Sequence, residues 1–143
     1  MTRIDFYIIE NGSEQATDNF ICRLTEKALS QNNAVFIHTL DEQHATKYDD
    51  LLWTFNDKSF IPHQLASPKN SSAPVLIGHE STEMPHHHDV LINLHHEAPS
   101  FFSQFERVAE IITTDETSRI KGRERYQFYR DRGYALETHK MSL

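Results

Sequence analysis

The chain has 143 residues and a mass of 16.7 kDa, which predicts one domain spanning residues 1–143. Hydrophobic residues make up 38% of the chain and lie in compact blocks, so the composition excludes general disorder. The formal charge of −7, with the 10 histidines counted as neutral, disfavours a protein that binds DNA without sequence preference, because such binding rests on neutralising phosphates.

The first half of the chain predicts two strands, each followed by a helix. Residues 3–9 (RIDFYII) and 34–38 (AVFIH) are short, β-branched and aromatic, as is typical of strands. The turn at residues 11–13 offers Ser13 as a helix cap, and Asp41 can cap the second helix. Apolar residues then recur at helical spacing: Ala16, Phe20, Leu24 and Ala28 in the first helix, and Ala45, Tyr48, Leu51 and Leu52 in the second.

The second half predicts three further strands and two helices. In chain order these are strands at 74–78 and 89–94, a short helix at 101–105, a strand at 108–112 and a long helix at 115–132. Gly133 is suited to end the last helix. The order β-α-β-α-β-β-α-β-α predicts a three-layer α/β/α sandwich around a mostly parallel sheet.

This Rossmann-like order lacks a nucleotide motif. The first strand-to-helix turn holds one glycine, Gly12, whereas a phosphate cradle needs several backbone N–H groups brought close by glycines. The four glycines of the chain form neither G-x-x-x-x-G-K-[ST] nor G-x-G-x-x-G, and there is no G-x-S-x-G. We therefore expect no cofactor and no catalytic residues. A small nucleotide- or metal-dependent hydrolase is the alternative function.

The histidines flank one predicted strand. His86, His87 and His88 precede it, His95 and His96 follow it, and His79 is nearby. Neighbouring residues on a strand point to opposite faces, so neither run presents all its imidazoles together. This favours a solvated polar loop with adventitious affinity for metal, and we predict no metal centre.

The cysteine count, the length of the apolar runs and the first ten residues indicate the compartment of the chain and its relation to membranes. A single cysteine, Cys22, excludes an internal disulfide, fits a core position and is typical of a reducing cytoplasm. No apolar run approaches the roughly 18 residues of a membrane helix. The first ten residues do not have the pattern of a secretory signal, so we expect a cytoplasmic chain.

The last helix concentrates basic residues in an acidic chain. Arg119, Arg123 and Arg130 fall within about 40° of one another on a helical projection, with Tyr126 beside them. A basic stripe beside an aromatic one suits a ligand that is both anionic and apolar. A solvated face with pairs such as Asp115 and Arg119 is the alternative. Single-stranded DNA stacked on the aromatics is a third possibility, which the net charge disfavours.

A second candidate surface lies in the loop at residues 57–72. Its apolar centre is Phe60, Ile61, Pro62 and His63. These residues either fill the core or contact a partner, and both interpretations remain open on the sequence.

In its sequence the chain resembles the chi subunit family of bacterial DNA polymerase III nearly from end to end. Together, the tryptophan, the S-F-I-P-H run and the R-E-R-Y-x-x-Y-R run are specific. The matching segments are Asp5-Phe6-Tyr7, Leu52-Trp53, DKSFIPH at 57–63, Ala73-Pro74-Val75, DVLINL at 89–94 and RERYQFYR at 123–130.

The resemblance implies a non-catalytic adaptor of the clamp-loader assembly. Its partners would be the psi subunit and the C-terminal tail of single-stranded DNA-binding protein, with a helicase as an alternative partner at the psi surface. That tail is acidic and typically ends in Pro-Phe with a free carboxylate. Direct contact with nucleic acid or membrane is not expected.

The resemblance also implies site residues. Arg123 has the planar fork that suits a terminal carboxylate, and Gln127 stands where some relatives carry lysine. The implied tail site is Ile112, Arg119, Arg123, Tyr126 and Arg130, with Trp53 nearby. The implied psi site is Phe60, Ile61, Pro62 and His63, with Phe60 as its anchor.

Overall fold

The computed structural model describes residues 1–58, 60–67, 73–80 and 86–143. Three helices, one short 3-10 helix and seven strands are found in these ranges. They are β1 (Arg3–Asn11), α1 (Glu14–Ser30), β2 (Val35–His38), α2 (Glu42–Thr54), β3 (His63–Leu65), β4 (Val75–Gly78), β5 (Val90–Asn93), the 3-10 helix (Phe102–Gln104), β6 (Arg107–Ile112), α3 (Glu116–Asp131) and β7 (Ala135–Ser142).

The strands form one parallel sheet in the order β3-β4-β2-β5-β6-β1-β7. Four of the five inner strands, β2, β4, β5 and β6, are almost wholly buried, which explains their continuous apolar sequences. The prediction of a mostly parallel sheet is confirmed. Two edge strands were not predicted, because β3 has three residues and β7 is largely polar and half-exposed.

Helices cover both faces of the sheet, so the predicted three-layer α/β/α arrangement is confirmed. Helices α1 and α2 pack over one face, where Ile21, Tyr48 and Leu52 are buried against Ile37 and Ile92. Helix α3 and the 3-10 helix cover the other face. There Tyr129 and Phe102 pack on Phe6, Phe36 and Leu91.

Side-chain caps fix where the three helices begin. Ser13 Oγ accepts the N–H of Ala16 at 3.1 Å, and Asp41 Oδ1 accepts the N–H of His44 at 2.8 Å, as the sequence predicted. Asp115 caps α3 by accepting the N–H of Ser118 at 3.1 Å. Helix α3 ends before Gly133, whose φ of +80° is the left-handed conformation expected after a helix.

Among the described residues, none of the helices combines the length and the apolar character needed to cross a membrane.

Candidate functional site

A pocket of about 320 Å³ lies beside α3, at the β7 edge of the sheet. It brings together five of the six residues predicted for the tail site. The full lining is Phe6, Ile8, Ile112, Arg119, Gly122, Arg123, Tyr126, Gln127, Arg130 and Thr138.

The apolar part of this pocket comes from the sheet. Phe6 and Ile8 are two residues apart on β1 and therefore face the same side, next to Ile112 of β6. Phe6 meets Tyr126 edge to face, with ring centroids 5.2 Å apart. Tyr126 thus extends the apolar surface from the sheet up onto the helix.

The rim of the pocket is basic. Arg119, Arg123 and Arg130 are exposed at the surface, and none of the described residues that line the pocket is acidic. Within the described chain, no carboxylate lies within 4.0 Å of the guanidinium of Arg119 or Arg123. The alternative pair of Asp115 with Arg119 is not formed, because Asp115 caps the helix instead. The guanidinium groups are therefore available to an anionic ligand.

A buried ion pair fixes α3 over this pocket. Glu110 of β6 is fully buried, and its Oε1 accepts Arg125 Nε at 2.9 Å. Tyr129 Oη donates to Glu110 Oε2 at 2.6 Å, and Asn93 Nδ2 donates to the same oxygen at 3.0 Å. Burial, together with the charge of Glu110, raises the pKa of Tyr129. Arg125 is thus a structural residue, unlike the exposed arginines of the same helix.

Trp53, predicted near the tail site, does not line this pocket, and its role at that site stays a prediction. It lies at the C-terminal end of α2, on the face of the sheet opposite α3. Its ring contacts Phe60 and His63, with centroid distances of 5.6 and 4.8 Å. Trp53 is 55% exposed and Phe60 is 69% exposed. We call Trp53 and Phe60 the aromatic pair.

The sequence left open whether the apolar residues of the loop before β3 fill the core or contact a partner. In the structure some of them are buried in the core and others are exposed. Ile61 is buried in the core beneath α1 and α2, and His63 is buried with its ring nitrogens 2.6 Å from Ile61 O and 2.9 Å from Asp49 O. The side chains of Ile61 and His63 thus pack inside the fold, and their predicted contact with a partner stays a prediction. Phe60 is exposed and Pro62 half-buried, while Ser59 lies outside the described residues.

A cavity of about 480 Å³ lies at the carboxyl ends of the central strands, where related folds bind nucleotides. Acidic residues Glu14, Asp18 and Asp115 contribute to its lining. Lys47 Nζ lies 3.0 Å from both Glu14 Oε1 and Asp18 Oδ2, so its charge is already paired. These charges are unfavourable to phosphate, and they give no support to the nucleotide-hydrolase alternative.

One group in the described residues has metal-ligand spacing. The ligand atoms of Asp5, Glu137 and His139 lie within 4.8 Å of one another. Arg107 Nε is 3.1 Å from Asp5 Oδ2, and Arg3 contacts both Asp5 and Glu137. Because two guanidinium groups balance the two carboxylates, this cluster is a complete ion-pair network that has no need of a cation.

The fold is an α/β/α sandwich around a parallel sheet, with a pocket of basic and apolar residues beside α3. Residues 1–137 match the family described as DNA polymerase III chi subunit, HolC. The chain belongs to this family, whose members are accessory, non-catalytic subunits of the replicative holoenzyme. The resemblance inferred from the sequence is confirmed, and with it an accessory role in DNA replication.

Relatives agree with this assignment, and a solved structure shares the fold. The chain is 42% identical over 142 residues to DNA polymerase III subunit chi of Pseudomonas aeruginosa, covering 99% of this chain and 98% of the relative. It is 28% identical to the Escherichia coli subunit chi, covering 96% and 97% of the two chains. The crystal structure of T4 UvsW has a similar fold, with a TM-score of 0.65 and 10% identity over 97% of this chain and 42% of that structure.

Some pocket residues were missed by sequence reasoning. The spacing of Phe6 and Ile8 on β1 places them on one face of the sheet. Because both faces of a central strand are buried, this spacing does not show which face lines a pocket. Thr138 gave no signal, because it belongs to the unpredicted strand β7. The close approach of Gly122 to the sheet appears only in three dimensions.

Proposed function

We propose that the chain is a non-catalytic adaptor that bridges the clamp-loader complex, through psi, to the C-terminal tail of single-stranded DNA-binding protein. The observation that carries the proposal is the pocket beside α3, where three arginines surround an apolar floor and no carboxylate lines the described surface. An acidic peptide with an apolar C-terminal residue matches this combination of charge and apolar surface.

The terminal residue of the tail supplies two complementary groups. Its carboxylate pairs with the Arg123 guanidinium, which can donate two parallel hydrogen bonds. Its ring packs against Ile112, Phe6 and Tyr126, which form the apolar side of the pocket. Aspartates upstream in the tail are held by Arg119 and Arg130. Gln127 adds no charge at this rim, so the acidic part of the tail depends on those two arginines.

The psi subunit binds at the aromatic pair in this proposal. Exposed Trp and Phe side chains are frequent anchors of protein interfaces, and Trp53 and Phe60 lie side by side at the surface. Pro62, half-buried in the same loop, forms the border of the surface. A helicase with a similar docking segment is the alternative partner here, in competition with psi.

The two surfaces lie far enough apart for simultaneous binding. The loop carrying Phe60 leads into β3 at one edge of the sheet, whereas the pocket floor lies on β6, β1 and β7 at the other edge. Five strand spacings separate β3 from β1, which is roughly 24 Å at about 4.8 Å per strand. Micromolar tail affinity, about −8 kcal/mol, then suffices in the cytoplasm, because tethering raises the local concentration of both partners.

Fluorescence anisotropy with a labelled acidic peptide ending in Pro-Phe tests the tail site. Arg123→Ala should weaken binding by about tenfold or more, since a charged hydrogen bond contributes about 1.5–3 kcal/mol. Arg23→Ala, an exposed arginine of α1 outside the pocket lining, is the matched control and should bind normally. Equal affinity for wild type and Arg123→Ala would exclude this site.

A peptide with a modified C-terminus tests whether Arg123 binds the terminal carboxylate. The same peptide with an amidated C-terminus lacks the carboxylate, so it should bind wild type as weakly as the free peptide binds Arg123→Ala. If amidation weakens binding to wild type and to Arg123→Ala by the same factor, the carboxylate is held elsewhere. Naked single-stranded oligonucleotide should not compete with the peptide at physiological salt, given the charge of −7.

A further inference from the structure

The pocket beside α3 is a groove with two sides. Helix α3 forms one side and carries the three arginines of the rim, whereas β7 forms the other side, where Thr138 is the described lining residue. In the described sheet β7 is the edge strand next to β1. A side chain that projects from β7 on the α3 face therefore borders the open side of the groove.

The strand register shows which β7 side chains project on this face. Phe6 of β1 is paired with Thr138, and Ile8 is paired with Lys140. Residues paired in register project to the same face of a sheet, as do residues two apart on one strand. Because Phe6, Ile8 and Thr138 line the groove, the side chain of Lys140 also projects on the groove side.

Lys140 ends a row of side chains that begins at the floor of the pocket. The row crosses three adjacent strands and consists of Ile112 on β6, Ile8 on β1 and Lys140 on β7. At about 4.8 Å per strand, the backbone of Lys140 lies roughly 10 Å from that of Ile112. Ile112 lies beneath Gly122, next to Arg123, so Lys140 stands level with the basic stretch of the helix.

The ammonium group of Lys140 is available to a ligand. Lys140 is exposed, and it forms no ion pair with a carboxylate of the described chain. The neighbouring acidic residue of β7 is Glu137, which lies an odd number of residues away, projects to the other face and pairs with Arg3. A fourth cation thus borders the groove, on the side opposite α3.

We propose that Lys140 binds an aspartate of the acidic tail, upstream of the terminal residue. The proposal rests on the tail function proposed above and adds a contact on β7 to those on α3. Cations on both sides of an apolar floor, with no carboxylate among the described lining residues, suit an acidic segment that lies across the groove. The tail then leaves the pocket over the second half of β7.

Fluorescence anisotropy with two peptides tests the contact at about 0.1 M salt. One is the acidic peptide ending in Pro-Phe, and the other has its aspartates replaced by asparagine. Lys140→Ala should weaken binding of the acidic peptide about two- to fivefold, the range of an exposed ion pair, and Lys140→Glu should weaken it further. Both variants should bind the asparagine peptide like wild type, which also shows that the pocket is folded.

Lys27 provides the matched control. It is an exposed lysine of α1, which covers the opposite face of the sheet. Lys27→Ala and Lys27→Glu change the net charge by the same amounts, yet they should bind the acidic peptide like wild type, because charges beyond about 10 Å are screened at this salt concentration. Equal losses in the Lys27 and Lys140 variants would overturn the proposal, as would wild-type affinity in Lys140→Glu.

Double-mutant cycles locate the aspartate that Lys140 binds. Each aspartate of the peptide is replaced singly by asparagine, and each peptide is titrated into wild type and Lys140→Ala. At one position the substitution should weaken binding to wild type and have little effect on Lys140→Ala, since the pair is already lost there. Additive effects at every position would contradict a direct contact.

Arg123→Ala separates this proposal from the tail site itself. If Arg123→Ala loses affinity while both Lys140 variants bind the acidic peptide like wild type, the contact on β7 is wrong and the tail site stands. If wild type binds neither peptide, the tail site is wrong and the contact on β7 is wrong with it.

Discussion

Gly122 of α3 lies directly against Ile112 of β6. A Cβ atom at position 122 would stand 2.4 Å from Ile112 Cδ1 and 3.1 Å from its Cγ1. The missing side chain lets the helix approach the sheet at this point, so that Ile112 forms part of the pocket floor while Arg119 and Arg123 stand at the rim. Close packing here thus determines the shape of the proposed tail site.

Gly122→Ala should impair peptide binding more than stability. The added methyl displaces Ile112, at an overpacking cost of about 1–3 kcal/mol, while alanine improves helix propensity by about 1 kcal/mol. We expect a small loss of unfolding free energy by urea titration and a clear loss of peptide affinity by anisotropy. The double variant Gly122→Ala/Ile112→Val removes the clashing Cδ1 and should recover affinity. No recovery in the double variant would show that the contact does not shape the pocket.

Glu110→Ala should be among the most destabilising substitutions in the chain. It leaves Arg125 buried without its carboxylate and removes the acceptor of Tyr129, a loss of about 3–5 kcal/mol. Chemical denaturation measures this loss. Replacing the charged partner as well, in Glu110→Ala/Arg125→Met, should restore part of the stability. If the single variant is as stable as wild type, the buried pair does not hold α3 in place.

The loop before β3 offers a matched pair of substitutions. Ile61→Ala should cost about 2–5 kcal/mol, because Ile61 is a buried core residue. Phe60→Ala should change stability by less than about 0.5 kcal/mol, since its ring is exposed, yet it should abolish co-purification with psi. Both stabilities are measured by urea unfolding. A stable Ile61→Ala variant would contradict the assignment of this residue to the core.

Acid should destabilise the fold through His38. Its pKa is about 4 in the folded chain against an ordinary 6.5, so the unfolded chain takes up the proton first. The stabilising contribution is complete above pH 6.5 and is lost as the pH falls towards 4, with a total of about 3 kcal/mol. Between pH 7 and 4.5, the unfolding free energy of wild type should fall further than that of His38→Gln. Parallel curves would mean that His38 does not titrate in this window.

Most of the fold could be predicted from local patterns. Continuous apolar runs marked the inner strands, and Ser13 and Asp41 marked helix starts that the structure confirms. The edge strands β3 and β7 could not be found this way, because an edge strand needs few apolar residues and its pairing is decided by the neighbouring strand. Because β7 was not predicted, the contribution of Thr138 to the outer wall of the pocket was not predicted either.

The residues of the candidate site that lie on helix α3 could be predicted from the sequence. Helical periodicity places Arg119, Arg123 and Tyr126 together, and the structure brings them to one pocket. The position of Trp53 outside the pocket could not be predicted, because it depends on which face of the sheet α2 covers and periodicity does not contain that information. Buried Arg125 looks like the other arginines in sequence, and only Glu110, fifteen residues earlier on β6, distinguishes it.

The central claim is that two separate surfaces serve two partners. The most direct test is the affinity of the free-carboxylate tail peptide for Phe60→Ala and Arg123→Ala, measured by anisotropy alongside co-purification with psi. We predict that Phe60→Ala loses psi and binds the peptide like wild type, whereas Arg123→Ala keeps psi and loses at least tenfold in peptide affinity. Loss of both partners in either folded variant, or the reverse pattern, would contradict the account.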